Sequence, residues 1–136
     1  MAFNMKGTRP IADEGKYSLV EYDVVIASGG SASEVVPVGT GELVGVTIPA
    51  AWDTADITFQ TAISPAGTFR AIQDSDGDLV RLDNPVAGRY ITVAPDGVKG
   101  IAYIKLISTN AASDAAATQS ADRTLSVRVR RNIRGS

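Results

Sequence analysis

The 136-residue chain has no cysteine and no histidine. Without cysteine there can be no disulfide framework, thiolate metal site, thiol redox chemistry or cysteine nucleophile. Without histidine the commonest general base and the commonest transition-metal ligand are missing, which excludes Ser-His-Asp hydrolysis and ordinary zinc sites. Aromatic residues are sparse at 6%, with a single Trp, so a multi-ring stacking platform for sugars lacks material. No apolar run approaches the roughly 20 residues a helix needs to cross a bilayer. The first sixteen positions carry Lys6, Arg9, Asp13, Glu14 and Lys16 with no apolar core of a secretory signal. The expectation is synthesis in the cytoplasm and no membrane segment.

What is present is ordinary for one globular domain: 44% apolar and 21% charged residues, in a chain long enough to bury a core without metal or disulfide staples. Net charge is −2, yet Arg123, Arg128, Arg130, Arg131 and Arg134 place five of the thirteen basic residues in the last fourteen positions. Such a run binds phosphate or an acidic protein surface, or is the solvated end of a strand. A nucleic-acid partner is not expected, because the net charge is negative and the aromatics are not interleaved with the basic residues.

From Tyr17 onward, β-rich stretches recur between clusters of Gly, Pro, Asn, Asp and Ser, the rhythm of a sandwich or barrel. Strands are predicted over 18–27, 42–48, 56–63, 68–73, 79–82, 89–94, 101–108 and 124–130. In the second, Leu43, Gly45 and Thr47 alternate with Val44, Val46 and Ile48 before Pro49 ends the ladder. In the third, Ile57, Phe59, Thr61 and Ile63 oppose Thr58, Gln60 and Ala62; in the last, Leu125, Val127 and Val129 oppose Ser126, Arg128 and Arg130. Ser64-Pro65-Ala66-Gly67 reads as a hairpin turn. The alternation nominates Val44, Val46, Ile48, Ile57, Phe59, Ile91, Ile104, Leu106, Leu125, Val127 and Val129 as core. The connection over 109–122 is dominated by Ala, Ser and Thr, and its alanines allow a helical turn that its Thr, Asn, Ser and Asp residues weaken. The expected fold is all-β: an antiparallel β-sandwich, jelly-roll-like, of about eight strands. Residues 1–16 are expected as an extended N-terminal arm, 17–131 as the sandwich and 132–136 as a C-terminal tail.

Asp74, Asp76 and Asp78, with Asp83 behind them, form the one dense carboxylate group. Alternating oxygen ligands suit Ca²⁺, but Gly77 sits one place too early for an EF-hand loop and the closing glutamate is missing. The reading is a turn that uses Asp-Gly for positive φ, with no metal and no cofactor. Gly29-Gly30 and the Gly39/Gly41 pair lack the Lys-Ser/Thr and the helix start that phosphate binding requires, so they are turns. Trp52 is either a core plug or an exposed sugar platform, and the core is favoured. No local setting selects a glycosidase-type pair among the 15 acidic residues. The expectation is a protein that is not an enzyme.

The stretch Ile48-Pro49-Ala50-Ala51-Trp52-Asp53-Thr54-Ala55-Asp56-Ile57-Thr58-Phe59-Gln60, followed by Ser64-Pro65-Ala66-Gly67-Thr68-Phe69, Gly88-Arg89-Tyr90-Ile91 and Tyr103-Ile104-Lys105-Leu106, resembles small β-sandwich proteins from the structural gene modules of tailed bacteriophages. The resemblance spans roughly residues 40 to 130 and contains no chemical motif. It implies a non-enzymatic virion protein, a capsid decoration or cement protein that binds and stabilises the head shell. The implied partner is the major capsid protein or another virion protein, and the implied assembly a homotrimer. The alternatives are a tail or neck component and a glycan-binding β-sandwich module. The candidate partner contacts are Lys6, Arg9, Arg128, Arg130, Arg131 and Arg134.

Overall fold

The computed structural model describes residues 8–14, 17–93 and 100–132. Its ten strands are β1 (Thr8–Glu14), β2 (Tyr17–Ile26), β3 (Val36–Gly39), β4 (Glu42–Thr47), β5 (Asp56–Ala62), β6 (Arg70–Ala71), β7 (Arg81–Leu82), β8 (Tyr90–Thr92), β9 (Ala102–Thr109) and β10 (Arg123–Asn132). One sheet runs β1-β2-β10-β4-β8; the other runs β3-β9-β5-β6, with β7 also on β5. Every strand pairing is antiparallel.

The order of strands identifies the architecture. β6 and β7 pair with successive parts of β5, at Gln60–Thr61 and Ile57–Thr58, and so act as two pieces of one strand. With those merged and β1 set aside, eight strands remain, ordered 1-8-3-6 in one sheet and 2-7-4-5 in the other, which is the connectivity of a jelly roll. The sandwich expected from alternation is the sandwich observed.

Nine of the eleven nominated core residues are buried: Val46, Ile48, Ile57, Phe59, Ile104, Leu106, Leu125, Val127 and Val129. Ile91 is half-buried against them. Val44 requires correction. The β4 partner of Arg128 is Gly45 and that of Val129 is Leu43, so Val44 is an extra residue in a β-bulge. The bulge shifts the alternation by one, and Leu43 takes the core position with no exposure while Val44 is only half-buried. β2 and β3 supply the rest of the wall through Tyr22, Val24, Ile26, Val36 and Val38.

Two edges depart from the expectation. Thr8–Glu14, expected within an arm outside the sandwich, is the outer strand of the first sheet, paired along β2 from Thr8↔Tyr22 to Glu14↔Tyr17. Its register slips between Pro10 and Ala12, the irregularity and the proline both being tolerated because an edge strand needs only one row of hydrogen bonds. The rest of the expected arm, residues 1–7 and 15–16, lies outside the described residues. β3 is a strand beyond those predicted; it carries Pro37, and it too is an edge. At the C-terminal end β10 includes Asn132, and residues 133–136 lie outside the described residues. The 109–122 connection holds a single turn: Asp114 N–H donates to Asn110 C=O at 3.0 Å, and the Asn110 side chain accepts from the Ala112 and Ser113 N–H groups.

Candidate functional site

The arginines of β10 divide by strand alternation. Arg128 and Arg130 are on the outward face with Ser126, while Arg131 follows the inward phase of Leu125, Val127 and Val129. Each outward residue meets an acidic neighbour supplied by an adjacent strand. Arg128 Nη2 lies 3.7 Å from Glu21 Oε2 of β2, its register partner. Arg130 Nη2 donates to Glu42 Oε1 of β4, and Ser126 Oγ donates to Asp23 Oδ1 at 2.8 Å. The Arg128 guanidinium also lies 4.6 Å from the Tyr90 ring centre on β8, a cation–π distance.

Arg131 points instead to the space between the sheets at their rim. Its Nη2 donates to the Pro37 carbonyl of β3, and its guanidinium lies 5.6 Å from the Tyr22 ring. Burial pushes the Tyr22 phenol above its ordinary pKa, and the Arg131 charge and hydrogen bond partly offset that shift. Of the other candidate contacts, Arg9 is the β1 register partner of Glu21, so Glu21 has an arginine on both neighbouring strands. Lys6 and Arg134 lie outside the described residues. The structure therefore gathers Arg9, Arg128 and Arg130 onto one sheet and gives Arg128, Arg130 and Arg131 acceptors within the fold.

The aspartate run forms a turn closed on itself. Asp74 Oδ1 accepts from the Asp76 and Asp78 N–H groups at 2.9 and 3.0 Å, and Gly77 adopts φ +89°. Beside it, a cleft of about 610 Å³ runs from Gln73 to Asp83 and is closed by Asp114. Arg81 spans the cleft, 2.8 Å from Asp114, 3.4 Å from the buried Asp56 and 3.8 Å from Asp83. Among the described residues no group of three or more acidic side chains is arranged to hold a metal ion.

Trp52 belongs to the core, 9% exposed, with its indole N–H donating to Ala55 C=O at 3.2 Å. The next residue anchors a polar staple that sequence reasoning missed. Asp53 accepts from Ser120 N–H at 2.6 Å and from Arg123 Nη2 at 2.7 Å. Gln119, 1% exposed, accepts from Asp53 N–H at 3.0 Å and from Arg123 Nε at 3.2 Å, and donates to Asp53 C=O at 3.3 Å and Ser108 Oγ at 2.9 Å. The Ser120 N–H first, then its hydroxyl and Arg123, hold the Asp53 carboxyl below its ordinary value. These groups fasten the long β9–β10 connection to the β4–β5 loop. No local pattern could reveal them, since the partners stand 66 residues apart.

No protein-family model matches the chain, and no curated protein matches it. Among solved structures it is similar to CsCBM6-3 from Clostridium stercorarium in complex with cellobiose, at 16% identity over 93% of this chain and 81% of that chain, with a TM-score of 0.29. A superposition that loose transfers no site.

Proposed function

We propose that this protein is a non-enzymatic structural protein of a tailed-phage virion, a decoration protein that docks on the head shell through the major capsid protein and works there as a homotrimer. The observation that supports it best is the outer face of the first sheet. There Arg128, Arg130 and Ser126 are matched by Glu21, Glu42 and Asp23, which makes a broad, charge-compensated surface rather than a basic tail awaiting one acidic ligand. Such a face suits attachment by area and shape. The first of the stretches that carry the phage resemblance, residues 48–60, forms the loop before β5 and most of that strand, with Trp52 buried.

Co-sedimentation with phage heads assembled without the protein tests the reading, alongside light scattering of the free protein. Removing residues 1–7 rather than 1–16 leaves β1 in place, so that loss of binding reports on the terminus and not on a missing strand. Association with heads and a trimeric mass are expected. Pelleting with tails alone would move the protein to the tail or neck, and a monomer that pellets with neither would overturn the reading. Trp52, the ring the glycan-binding alternative would use as a platform, is 9% exposed.

A further inference from the structure

Among the described residues β8 is an edge of the first sheet, at the opposite side from β1. Arg89 C=O accepts from Ile48 N–H and Val93 N–H donates to Val44 C=O, with Ile91 opposite Val46 between them. In an antiparallel ladder the intervening residues point their backbone groups the other way. The N–H and C=O of Tyr90 and Thr92 therefore face outward, where no further strand pairs with them among the described residues. A groove of about 340 Å³ follows this edge, lined by Asn84, Val86, Arg89, Tyr90, Ile91 and Thr92.

Two of the three large exposed apolar side chains of the described residues, Val86 at 50% and Tyr90 at 41%, lie on this groove. Its one charged residue is Arg89. Arg81, Arg123, Arg128 and Arg130 all have carboxylate partners, whereas Arg89 has none among the described residues. Among the described residues, an unpaired strand edge, an apolar wall and a cation without a carboxylate partner thus coincide.

We propose that the β8 edge binds an extended segment of a partner protein by strand addition, one that places an acidic side chain beside Arg89 and an apolar one against Val86. Backbone pairing to Tyr90 and Thr92 would supply the affinity and the two side chains the selectivity. A second copy of β8 is the poorer occupant, because a two-fold pairing brings two arginines and no carboxylate into one groove. The inference names the partner chemistry of the assembly proposed above and rests on that reading only for the partner's identity.

The test uses the isolated full chain and short capped peptides of alternating threonine and valine with aspartate, asparagine or lysine at the centre, titrated to millimolar concentration and followed by NMR. Saturable shifts at Tyr90 and Thr92 are expected, with the aspartate peptide favoured over the lysine peptide by on the order of three- to fivefold, the range of an exposed ion pair. Arg89→Glu should reverse that order. Thr92→Pro removes an N–H that β4 does not use and should abolish the shifts while leaving the melting temperature near wild type; if that variant does not fold, the Arg89→Glu reversal decides. No binding by any peptide, binding indifferent to charge and to Arg89→Glu, or shifts that survive in a folded Thr92→Pro protein would overturn the proposal. Failure here leaves head co-sedimentation intact, so the two readings fall separately.

Discussion

The Tyr90 ring lies across Gly45, filling the space in which any side chain at position 45 would stand. Because Gly45 is also the register partner of Arg128, the missing side chain lets the ring reach across β4 to the guanidinium on β10. An aromatic laid over a strand glycine restores the packing that glycine lacks. The atoms in the way are the far end of a flexible side chain, so Gly45→Ala should swing the ring aside rather than break the sheet. We expect a change below about 1 kcal/mol, the scale of an exposed cation–π contact. Denaturant melting in a double-mutant cycle checks it: Tyr90→Ala and Arg128→Ala should be coupled in the wild type and uncoupled in the Gly45→Ala background.

Phe59 has no exposure and Leu43 none, while Val44 next to it is only half-buried at the bulge. Phe59→Ala should therefore cost about 3–5 kcal/mol and Leu43→Ala about 2–5 kcal/mol. Val44→Ala should cost less than about 1 kcal/mol, since it removes less buried surface. Urea midpoints at unchanged slope give all three. A larger loss at Val44 than at Leu43 would place the bulge elsewhere.

The contrast between those neighbours marks what a sequence can show. Ile57 and Phe59, or Leu125, Val127 and Val129, reveal their inward face because alternation is local and regular pairing preserves it. Leu43 does not, because the bulge exists only against Arg128 and Val129 of β10. Thr8–Glu14 hides its strand for a related reason: its pairing is dictated by β2, and no apolar alternation announces it. The outward phase of Arg128 and Arg130 was legible, but their partners Glu21 and Glu42 come from strands remote in sequence. Arg89 was invisible as a groove residue, since a free edge is a property of the whole sheet.

The Asp53 carboxyl is held below its ordinary pKa chiefly by the Ser120 N–H, with the Ser120 hydroxyl and Arg123 adding to it. A depressed folded-state value means that ionised Asp53 stabilises the fold at and above the ordinary carboxylate range. That contribution is lost as pH falls through the folded value, below about pH 4. Asp53→Asn should lower the melting temperature at neutral pH and flatten its acid limb, so that the two proteins converge at the acid end. Parallel pH profiles would show that Asp53 is not a source of the acid sensitivity.

Asp74 spends its carboxylate on two backbone N–H groups, and Gly77 needs its positive φ. Titration with millimolar Ca²⁺ should produce no saturable heat, and Gly77→Ala should cost roughly 1 kcal/mol from the strained backbone alone. One-site heat lost in Asp76→Asn would make the turn a calcium site.

Gln119 is the residue on which the long β9–β10 connection should depend most. It is 1% exposed, and its amide meets the Asp53 N–H and C=O, the Ser108 hydroxyl and Arg123 Nε. Truncation to Ala would strip partners from several enclosed polar groups at once, and each buried group left unsatisfied costs about 1–3 kcal/mol. Water entering the vacated space would recover part of this, so a net loss of about 2–4 kcal/mol is expected for Gln119→Ala, in the range seen when a buried network is broken. Gln119→Glu is the sharper probe. It keeps the shape and an acceptor for Arg123, and the Ser108 hydroxyl can turn to donate to it, but it loses the donor to Asp53 C=O and sets a second carboxylate near that of Asp53. It should therefore destabilise the fold despite its nearness to arginine, and more so at neutral pH than near pH 4, where protonation relieves the repulsion. Hydrogen exchange gives the local readout: amides of residues 110–122 should lose protection in both variants before those of β5 and β10 do. Uniform loss across both sheets would mean that Gln119 supports the core as a whole rather than fastening this connection.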